Sequence, residues 1–204
     1  MTIATINDLD DEEYRYIFTK VSENTRQRAN ACLNTRKAKS IIMGEYLARC
    51  EISRYLKIPF EKVNIQKSSS SNNKLVVLGF STCHFSYSHS GDYILIAVAD
   101  QPIGCDIQVF KKIKIIADTF FTKADTKYIL DSAEYEKALA EIWSLKESYF
   151  KYTGTGWMYT DVSFSCHKSR ESLGIMIYSK EFNSSYMAVC VERKDDFKWN
   201  IWNI

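Results

Sequence analysis

The sequence predicts an α+β fold in which each half of the chain contains both helices and strands. Residues 41–56 and 134–152 carry apolar side chains at helical spacing, whereas residues 93–99 form a short apolar run rich in β-branched and aromatic residues. Charge and pattern both change after Gln108. We therefore expect two α/β lobes, residues 1–108 and 109–204, and 204 residues are enough to bury a core in each.

The composition is that of an ordinary globular protein. The net charge of +2 gives no reason to expect a nucleic-acid partner. No apolar run approaches the length that spans a membrane. The N-terminus (MTIATINDLDDEEYRYIF) lacks the basic start and apolar core of a signal peptide, so we expect a cytoplasmic protein. The 6 cysteines form no CxxC pair and most lie in apolar runs, which favours buried free thiols over disulfides or a metal cage.

The first half is expected to open with a strand within residues 1–8 and a short acidic helix at 10–21. Thr25–Lys39 follows as the one clearly basic segment. It is either a solvated helix face or a site for phosphate groups, because the arginine fork matches phosphate oxygens. The remaining predicted elements before residue 85 are a core helix at 41–56, strands at 63–66 and 75–79, and a loop at 68–73 (SSSSNN).

Residues 85–108 (FSYSHSGDYILIAVADQPIGCDIQ) hold the densest group of reactive side chains. Strands at 93–99 and 103–109 are predicted to form a hairpin through the turn Asp100-Gln101-Pro102. The segment SHSG before them is expected to be a polar bend. Asp106 and Gln108 are two residues apart, so they leave the second strand on the same face.

In the second half, Thr122 and Asp125 resemble a capping box that opens a short helix. A longer helix is expected from about residue 134 to 152, stopped by glycine after it. On this helix Glu147 and Lys151 are four residues apart and share a face. Three strand candidates follow at 162–166, 174–178 and 186–192.

Asp106 and Glu147 belong to elements far apart in the sequence, and two carboxylates that meet require a cation between them. Oxygen ligands favour Mg²⁺ or Mn²⁺ over zinc, and Gln108 would add a neutral oxygen or hold a metal-bound water. Mg²⁺ usually takes one or two carboxylates plus substrate phosphates, which predicts a phosphate-bearing substrate. Each residue also has a plainer explanation: Glu147 and Lys151 as a surface helix pair, and His89 as a structural histidine.

Two blocks of the chain resemble the 4′-phosphopantetheinyl transferases, in particular the larger, surfactin-synthetase-activating type. The first block is Phe85–Gly91 (FSYSHSG) with Pro102–Gln108 (PIGCDIQ), similar to the family's FxxSHSG and PhGhDhE, where h is apolar. The second is Trp143–Lys151 (WSLKESYFK), similar to WxxKExxxK and followed by Gly154-Thr155-Gly156. The resemblance covers about residues 25–192.

This resemblance implies two similar α/β lobes related by pseudo-twofold symmetry, with coenzyme A in the cleft between them. The reaction would move the 4′-phosphopantetheine arm of coenzyme A to a serine of an acyl or peptidyl carrier protein. Adenosine 3′,5′-bisphosphate would be the other product. Because both lobes lie in one chain, a monomer is expected.

The resemblance also implies roles for single residues. Asp106, Gln108 and Glu147 would hold Mg²⁺, and Glu147 would also take the proton of the carrier serine. Lys151 would neutralise or protonate the leaving phosphate, and Trp143 would pack. The expected contacts to the nucleotide and phosphates are Arg28, Lys39, Lys74, Ser88, His89 and Lys146.

Two departures from the family pattern stand out. Gln108 occupies a position where many relatives carry Glu, which removes one charge from the metal site. Asn73-Lys74-Leu75 stands where Gly-Lys-Pro is common. Two alternative functions stay open: a non-catalytic relative that binds coenzyme A or a carrier, which Gln108 favours, and a metal-dependent hydrolase of nucleotides or coenzyme A.

Overall fold

A computed structural model describes residues 1–6, 9–68, 74–111, 121–155, 174–192 and 200–201. The helices are α1 Asp11–Lys20, α2 Glu23–Asn30, α3 Thr35–Leu56, α4 Lys123–Asp131 and α5 Tyr135–Thr153. The strands are β1 Thr2–Thr5, β2 Ile65–Lys67, β3 Leu75–Val77, β4 His84–Ser90, β5 Tyr93–Ala99, β6 Ile103–Val109, β7 Met176–Phe182, β8 Ser185–Val191 and β9 Asn200–Ile201. This mixture confirms the α+β class. The predicted strand at 162–166 lies outside the described residues.

The helix boundaries follow local capping chemistry. The predicted capping box is present: Thr122 Oγ1 accepts a hydrogen bond from Asp125 N, and Asp125 Oδ2 accepts one from Thr122 N. The long helix α5 ends at Gly154, whose φ of 76° is a left-handed conformation that favours glycine. The basic segment Thr25–Lys39 is not one helix, because α2 ends at Asn30 and α3 begins at Thr35.

The predicted hairpin between residues 93–99 and 103–109 is wrong, although both strands exist. Strand β5 pairs antiparallel with β4 on one side and with β1 on the other. The true hairpin is β4–β5, and it turns at Gly91, whose φ is +57°. The polar segment SHS is therefore the end of a strand rather than a bend. Its serines are tolerated inside the protein because they hydrogen-bond to β6.

Strand β6 belongs to the sheet of the second half. It pairs with β8 from Ile103↔Val191 to Val109↔Ser185, in a three-stranded sheet of order β6-β8-β7. The division predicted after residue 108 would assign this strand to the first lobe. The chain passes from the first sheet to the second between β5 and β6. The division into two lobes stays a prediction.

The described elements form four layers, which explains why β5 is apolar along its whole length. Alternate residues of a strand point to opposite faces. Ile94 and Ile96 pack with α3, whereas Leu95 and Ala97 pack against the inner face of β6 and β8. The outer face of β8 packs on α5. The order is thus α3, first sheet, second sheet, α5, and a strand buried on both faces reads as a continuous apolar run.

Cys83, Cys105 and Cys190 are buried free thiols, as predicted, while Cys32 and Cys50 are free and half-buried. Within the described part of the chain, no helix combines the length and apolarity needed to cross a membrane.

Candidate functional site

The helix α5 lies unusually close to β6 at Gly104. A Cβ added to this glycine would lie 2.0 Å from Ser148 O and 2.3 Å from Tyr152 N, so no side chain fits there. Asp106 leaves β6 on the same face as Gly104, two residues further on. The close approach therefore brings the last turns of α5, including Lys151, against the carboxylate of Asp106.

Asp106 is buried, at 4% exposure, and its two carboxylate oxygens differ. Oδ1 accepts hydrogen bonds from Ser88 Oγ at 2.5 Å and from Lys151 Nζ at 2.7 Å. Lys151 Nζ also donates to Cys105 O at 3.1 Å. Oδ2 is buried without a hydrogen-bond partner. A buried acceptor in this state is uncommon in proteins, and a bound water or ion is one way of satisfying it.

Burial raises the pKa of the Asp106 carboxyl, and the Lys151 ammonium group and the Ser88 hydroxyl act against this rise. Burial acts to lower the pKa of Lys151, but Asp106, Cys105 and Glu147 together outweigh it and the pKa of Lys151 is raised. Two donors on Oδ1 favour the charged carboxylate. Asp106 and Lys151 thus form an ion pair across 2.7 Å, and 29% of the Lys151 side chain is still exposed.

The predicted metal ligands meet at one cavity of about 360 Å³. Asp106, Gln108, Glu147 and Lys151 all line it, and Ser88, His89 and Trp143 are among the other lining residues. Elements that are distant in the sequence, β4, β6 and α5, thus contribute to one space. Asp106 and Glu147 therefore line the same cavity, and their role as metal ligands stays a prediction.

A second cavity of about 330 Å³ shares Tyr87, Glu147 and Lys151 with the first. Lys74 lines it together with apolar side chains, among them Phe85, Ile103 and Phe150. Glu147 and Lys151 therefore stand between a polar space and a more apolar one.

The donor set fits a hard divalent cation. Among the described residues, no three or more His, Cys, Asp and Glu side chains cluster in a way that would hold a metal by themselves. Two carboxylates and the Gln108 amide line the first cavity, and one carboxylate oxygen is buried and unsatisfied. Such an incomplete oxygen set suits Mg²⁺ or Mn²⁺ whose remaining ligands are waters and phosphate oxygens.

His89 is exposed at the end of β4, on the rim of the first cavity. Partial burial lowers its pKa, and Lys151, Lys37 and Arg28 lower it further, while Asp106 opposes them. The imidazole is therefore surrounded by more positive than negative charge. Arg28 itself is exposed on α2 and does not line either cavity. This rim is favourable for an anion.

Two predicted phosphate contacts are engaged elsewhere. Lys146 is fully buried and forms an ion pair with Asp125, Nζ to Oδ2, at 2.9 Å. Its predicted place near the phosphates is corrected to a buried pair between α5 and α4, because its ammonium group is enclosed. Lys39 Nζ donates to Leu9 O at 3.1 Å and lies 6.0 Å from the Tyr14 ring centroid, so it ties α3 to the segment before α1.

Sequence reasoning missed Tyr87, which lines both cavities, and Lys37, which acts on His89. The signal for Tyr87 was available in the alternation of Phe85, Tyr87 and His89 with serines, which is the period of a strand. Lys37 belongs to the basic segment Thr25–Lys39, but its position near His89 depends on how α3 packs beside the β4–β5 turn.

Two family models match the chain and meet near the start of β6. A model described as "4'-phosphopantetheinyl transferase superfamily" matches residues 102–199, and one described as "4'-phosphopantetheinyl transferase, N-terminal" matches residues 9–101. The chain therefore belongs to the 4′-phosphopantetheinyl transferase superfamily. The resemblance predicted from the two motif blocks is confirmed.

Several curated relatives are also named 4'-phosphopantetheinyl transferase. The chain is 35% identical over 137 residues to 4'-phosphopantetheinyl transferase psf-1 of Bacillus pumilus, which covers 66% of this chain and 58% of the relative. It is 31% identical over 151 residues to 4'-phosphopantetheinyl transferase Sfp of Bacillus subtilis (strain 168), covering 72% and 66%. It is 29% identical over 201 residues to 4'-phosphopantetheinyl transferase ffp of Bacillus subtilis, covering 92% and 89%. The matched segment thus spans 58% and 66% of the first two relatives.

Proposed function

We propose that the protein transfers the 4′-phosphopantetheine arm of coenzyme A to a serine of an acyl or peptidyl carrier protein. The observation that carries this proposal is the cavity lined by Asp106, Gln108, Glu147 and Lys151, together with the buried Asp106 Oδ2, which has no hydrogen-bond partner. Family membership supports the reaction class and coenzyme A as the donor.

In the proposed reaction the carrier serine Oγ forms a bond to the β-phosphorus of coenzyme A. The bond from this phosphorus to the bridging oxygen of the pyrophosphate breaks, and adenosine 3′,5′-bisphosphate leaves. Glu147, directly or through a water molecule, accepts the serine proton. Lys151 stabilises or protonates the leaving phosphate, and its position between the two cavities supports this role.

Asp106, Glu147 and Gln108 would hold Mg²⁺, with Mn²⁺ as the other candidate. When bound, the ion supplies positive charge to the pyrophosphate oxygens and so stabilises the charge that develops on transfer. The buried, unpartnered Asp106 Oδ2 and the neutral Gln108 amide are the features that support this ligand set.

The remaining charges of coenzyme A would lie along the positive rim. We propose that His89 and Arg28 face the nucleotide phosphates, which is consistent with the cations that lower the pKa of His89. Lys74, in the second cavity, would provide a further cation. Lys39 stays a weaker candidate, because its ammonium group already donates to Leu9 O.

We also propose that the two halves are lobes related by pseudo-twofold symmetry, with the protein acting as a monomer. The four-layer order supports this: α3 covers one sheet, α5 covers the other, and the two sheets face each other. In such a pair the cavities lie where both halves contribute side chains.

Incubation with coenzyme A, Mg²⁺ and a panel of apo carrier proteins of fatty-acid, polyketide and peptide-synthetase type tests the function. Intact mass should show the gain of one phosphopantetheine on at least one carrier, and chelation of the metal should abolish it. Bound coenzyme A without any mass gain would favour the non-catalytic relative that Gln108 suggests. Release of free phosphopantetheine without a carrier would favour a hydrolase.

A further inference from the structure

We propose that Ser88 is a positioning residue for the metal ligand Asp106, rather than a contact to the nucleotide phosphates. The inference rests on the proposed function, because it assigns a role within that same site. It begins from three serines of β4 that share one face, Ser86, Ser88 and Ser90.

These three serines are similarly buried, at 9%, 7% and 7% exposure, and all contact β6. Two of them bind backbone: Ser86 Oγ accepts from Cys105 N at 3.0 Å, and Ser90 Oγ accepts from Val109 N at 3.1 Å. Ser88 differs, since its Oγ donates to the Asp106 carboxylate at 2.5 Å. Ser88 thus contacts the site, whereas Ser86 and Ser90 on either side of it hydrogen-bond to the backbone of β6 and connect the two sheets.

A serine hydroxyl has a single hydrogen to donate. Ser88 donates this hydrogen to Asp106 Oδ1, so the hydroxyl cannot at the same time donate to a phosphate oxygen. The oxygen lone pairs that remain on Ser88 Oγ would repel a phosphate oxygen. A hydrogen bond from a neutral hydroxyl to a carboxylate is among the stronger ones in proteins. The observed geometry therefore favours the carboxylate as the partner of Ser88.

Ser88 and Lys151 both donate to Oδ1 and leave Oδ2 without a partner. Two donors on one oxygen restrict rotation of the carboxylate and keep the other oxygen available for a metal. Hydrogen-bond partners of metal ligands typically contribute about 10–100-fold to metal affinity. Loss of the Ser88 hydroxyl should weaken metal binding by that factor.

The experiment titrates Mn²⁺ into the full chain and measures free Mn²⁺ by electron paramagnetic resonance. Ser88→Ala should bind Mn²⁺ about 10–100-fold more weakly than the unmodified protein. Ser86→Ala and Ser90→Ala are matched controls, since these serines share strand, face and burial but contact backbone. Each variant should bind Mn²⁺ nearly as tightly as the unmodified protein does. Ser88→Thr retains the hydroxyl and should recover much of the affinity. Thermal unfolding verifies that each variant is folded.

A second titration separates positioning from phosphate contact. Without metal, Ser88→Ala should bind adenosine 3′,5′-bisphosphate as well as the unmodified protein does. Equal Mn²⁺ affinity in Ser88→Ala, equal weakening in all three alanine variants, or loss of nucleotide affinity with unchanged Mn²⁺ binding would each overturn the inference. If the unmodified protein binds no Mn²⁺ and loads no carrier, the proposed function fails first, and the inference with it.

Discussion

Helix α5 carries two lysines that each pair with an aspartate, and the two pairs differ in their surroundings. Lys146 and Asp125 are 2.9 Å apart with neither side chain exposed. Asp125 Oδ2 also accepts hydrogen bonds from Thr122 N and Thr122 Oγ1. Lys151 and Asp106 are 2.7 Å apart, with side-chain exposures of 29% and 6%, and they line a cavity.

The two pairs differ in one atom: Asp106 Oδ2 lacks a hydrogen-bond partner. Among the described residues, the buried side-chain atoms that lack a partner include Asp106 Oδ2 but no atom of Asp125 or Lys146. A fully satisfied buried pair fixes how α4 packs on α5. A pair with one open acceptor at a cavity can exchange partners when a ligand arrives. The same residue types thus serve stability in one place and chemistry in the other.

Asp106→Asn should produce the largest effect. The amide keeps the shape of the side chain but removes the charge that a metal requires, so carrier loading should fall by about 10³-fold or more. Rates of phosphopantetheine transfer, followed by intact mass, measure this. Asp125→Asn is the matched control: it should lower the unfolding temperature but leave the rate per folded molecule near normal. A rate in Asp106→Asn equal to that of the unmodified protein would remove Asp106 from the site.

Lys146→Met should act on stability. It leaves the Asp125 carboxylate buried without its cation, which typically costs about 3–5 kcal/mol in the free energy of unfolding. Urea unfolding followed by circular dichroism measures the loss. Combining it with Asp125→Leu should regain much of the stability, because an apolar pair can replace a buried ion pair. An unchanged unfolding midpoint in Lys146→Met would contradict the structural role.

Lys151→Met should act on turnover instead. Loss of the group that stabilises the leaving phosphate should lower kcat by about 10²-fold, with a smaller change in coenzyme A affinity. The free energy of unfolding should fall less than in Lys146→Met, since Lys151 is partly exposed and solvent can compensate. Steady-state kinetics with varied coenzyme A separates kcat from KM. An unchanged kcat would exclude Lys151 from the chemistry.

The smallest expected effect is that of His89 on the pH dependence of the free energy of unfolding. Its pKa in the folded protein lies below the ordinary value of 6.5, through partial burial and then through Lys151, Lys37 and Arg28. As the pH falls through 6.5, the unfolded chain therefore takes up this proton before the folded one, and stability decreases. His89→Gln should reduce that decrease.

Unfolding free energies in urea at several pH values between about 5 and 8 measure the slope, the range in which histidine ordinarily titrates. His84, whose pKa is also lowered by burial and by Lys74, is the comparison residue outside the first cavity. Because each histidine contributes separately, replacing both should flatten the profile more than either change alone. Identical profiles for His89→Gln and the unmodified protein would contradict the prediction.

Much of the local structure could be predicted. The apolar run at 93–99, the strand expected at 103–109 and the helical spacing at 134–152 located β5, β6 and α5 to within a few residues, and the capping box at Thr122 was correct. Strand pairing could not be predicted, because β5 is buried on both faces and its pattern does not indicate which strand lies beside it. The β4–β5 hairpin was missed for a related reason: its polar residues are serines whose partners on β6 are distant in the sequence.

The sequence by itself determined the family motifs, the helices and strands that carry them, and the supply of carboxylates and lysines. It did not determine which lysine meets which carboxylate. Lys146 and Lys151 are five residues apart, so they leave α5 on sides about 140° apart. Only the packing of α4 on one side, and of β6 at Gly104 on the other, decides that Lys146 is enclosed while Lys151 reaches the cavity. Those contacts join residues that no local pattern connects.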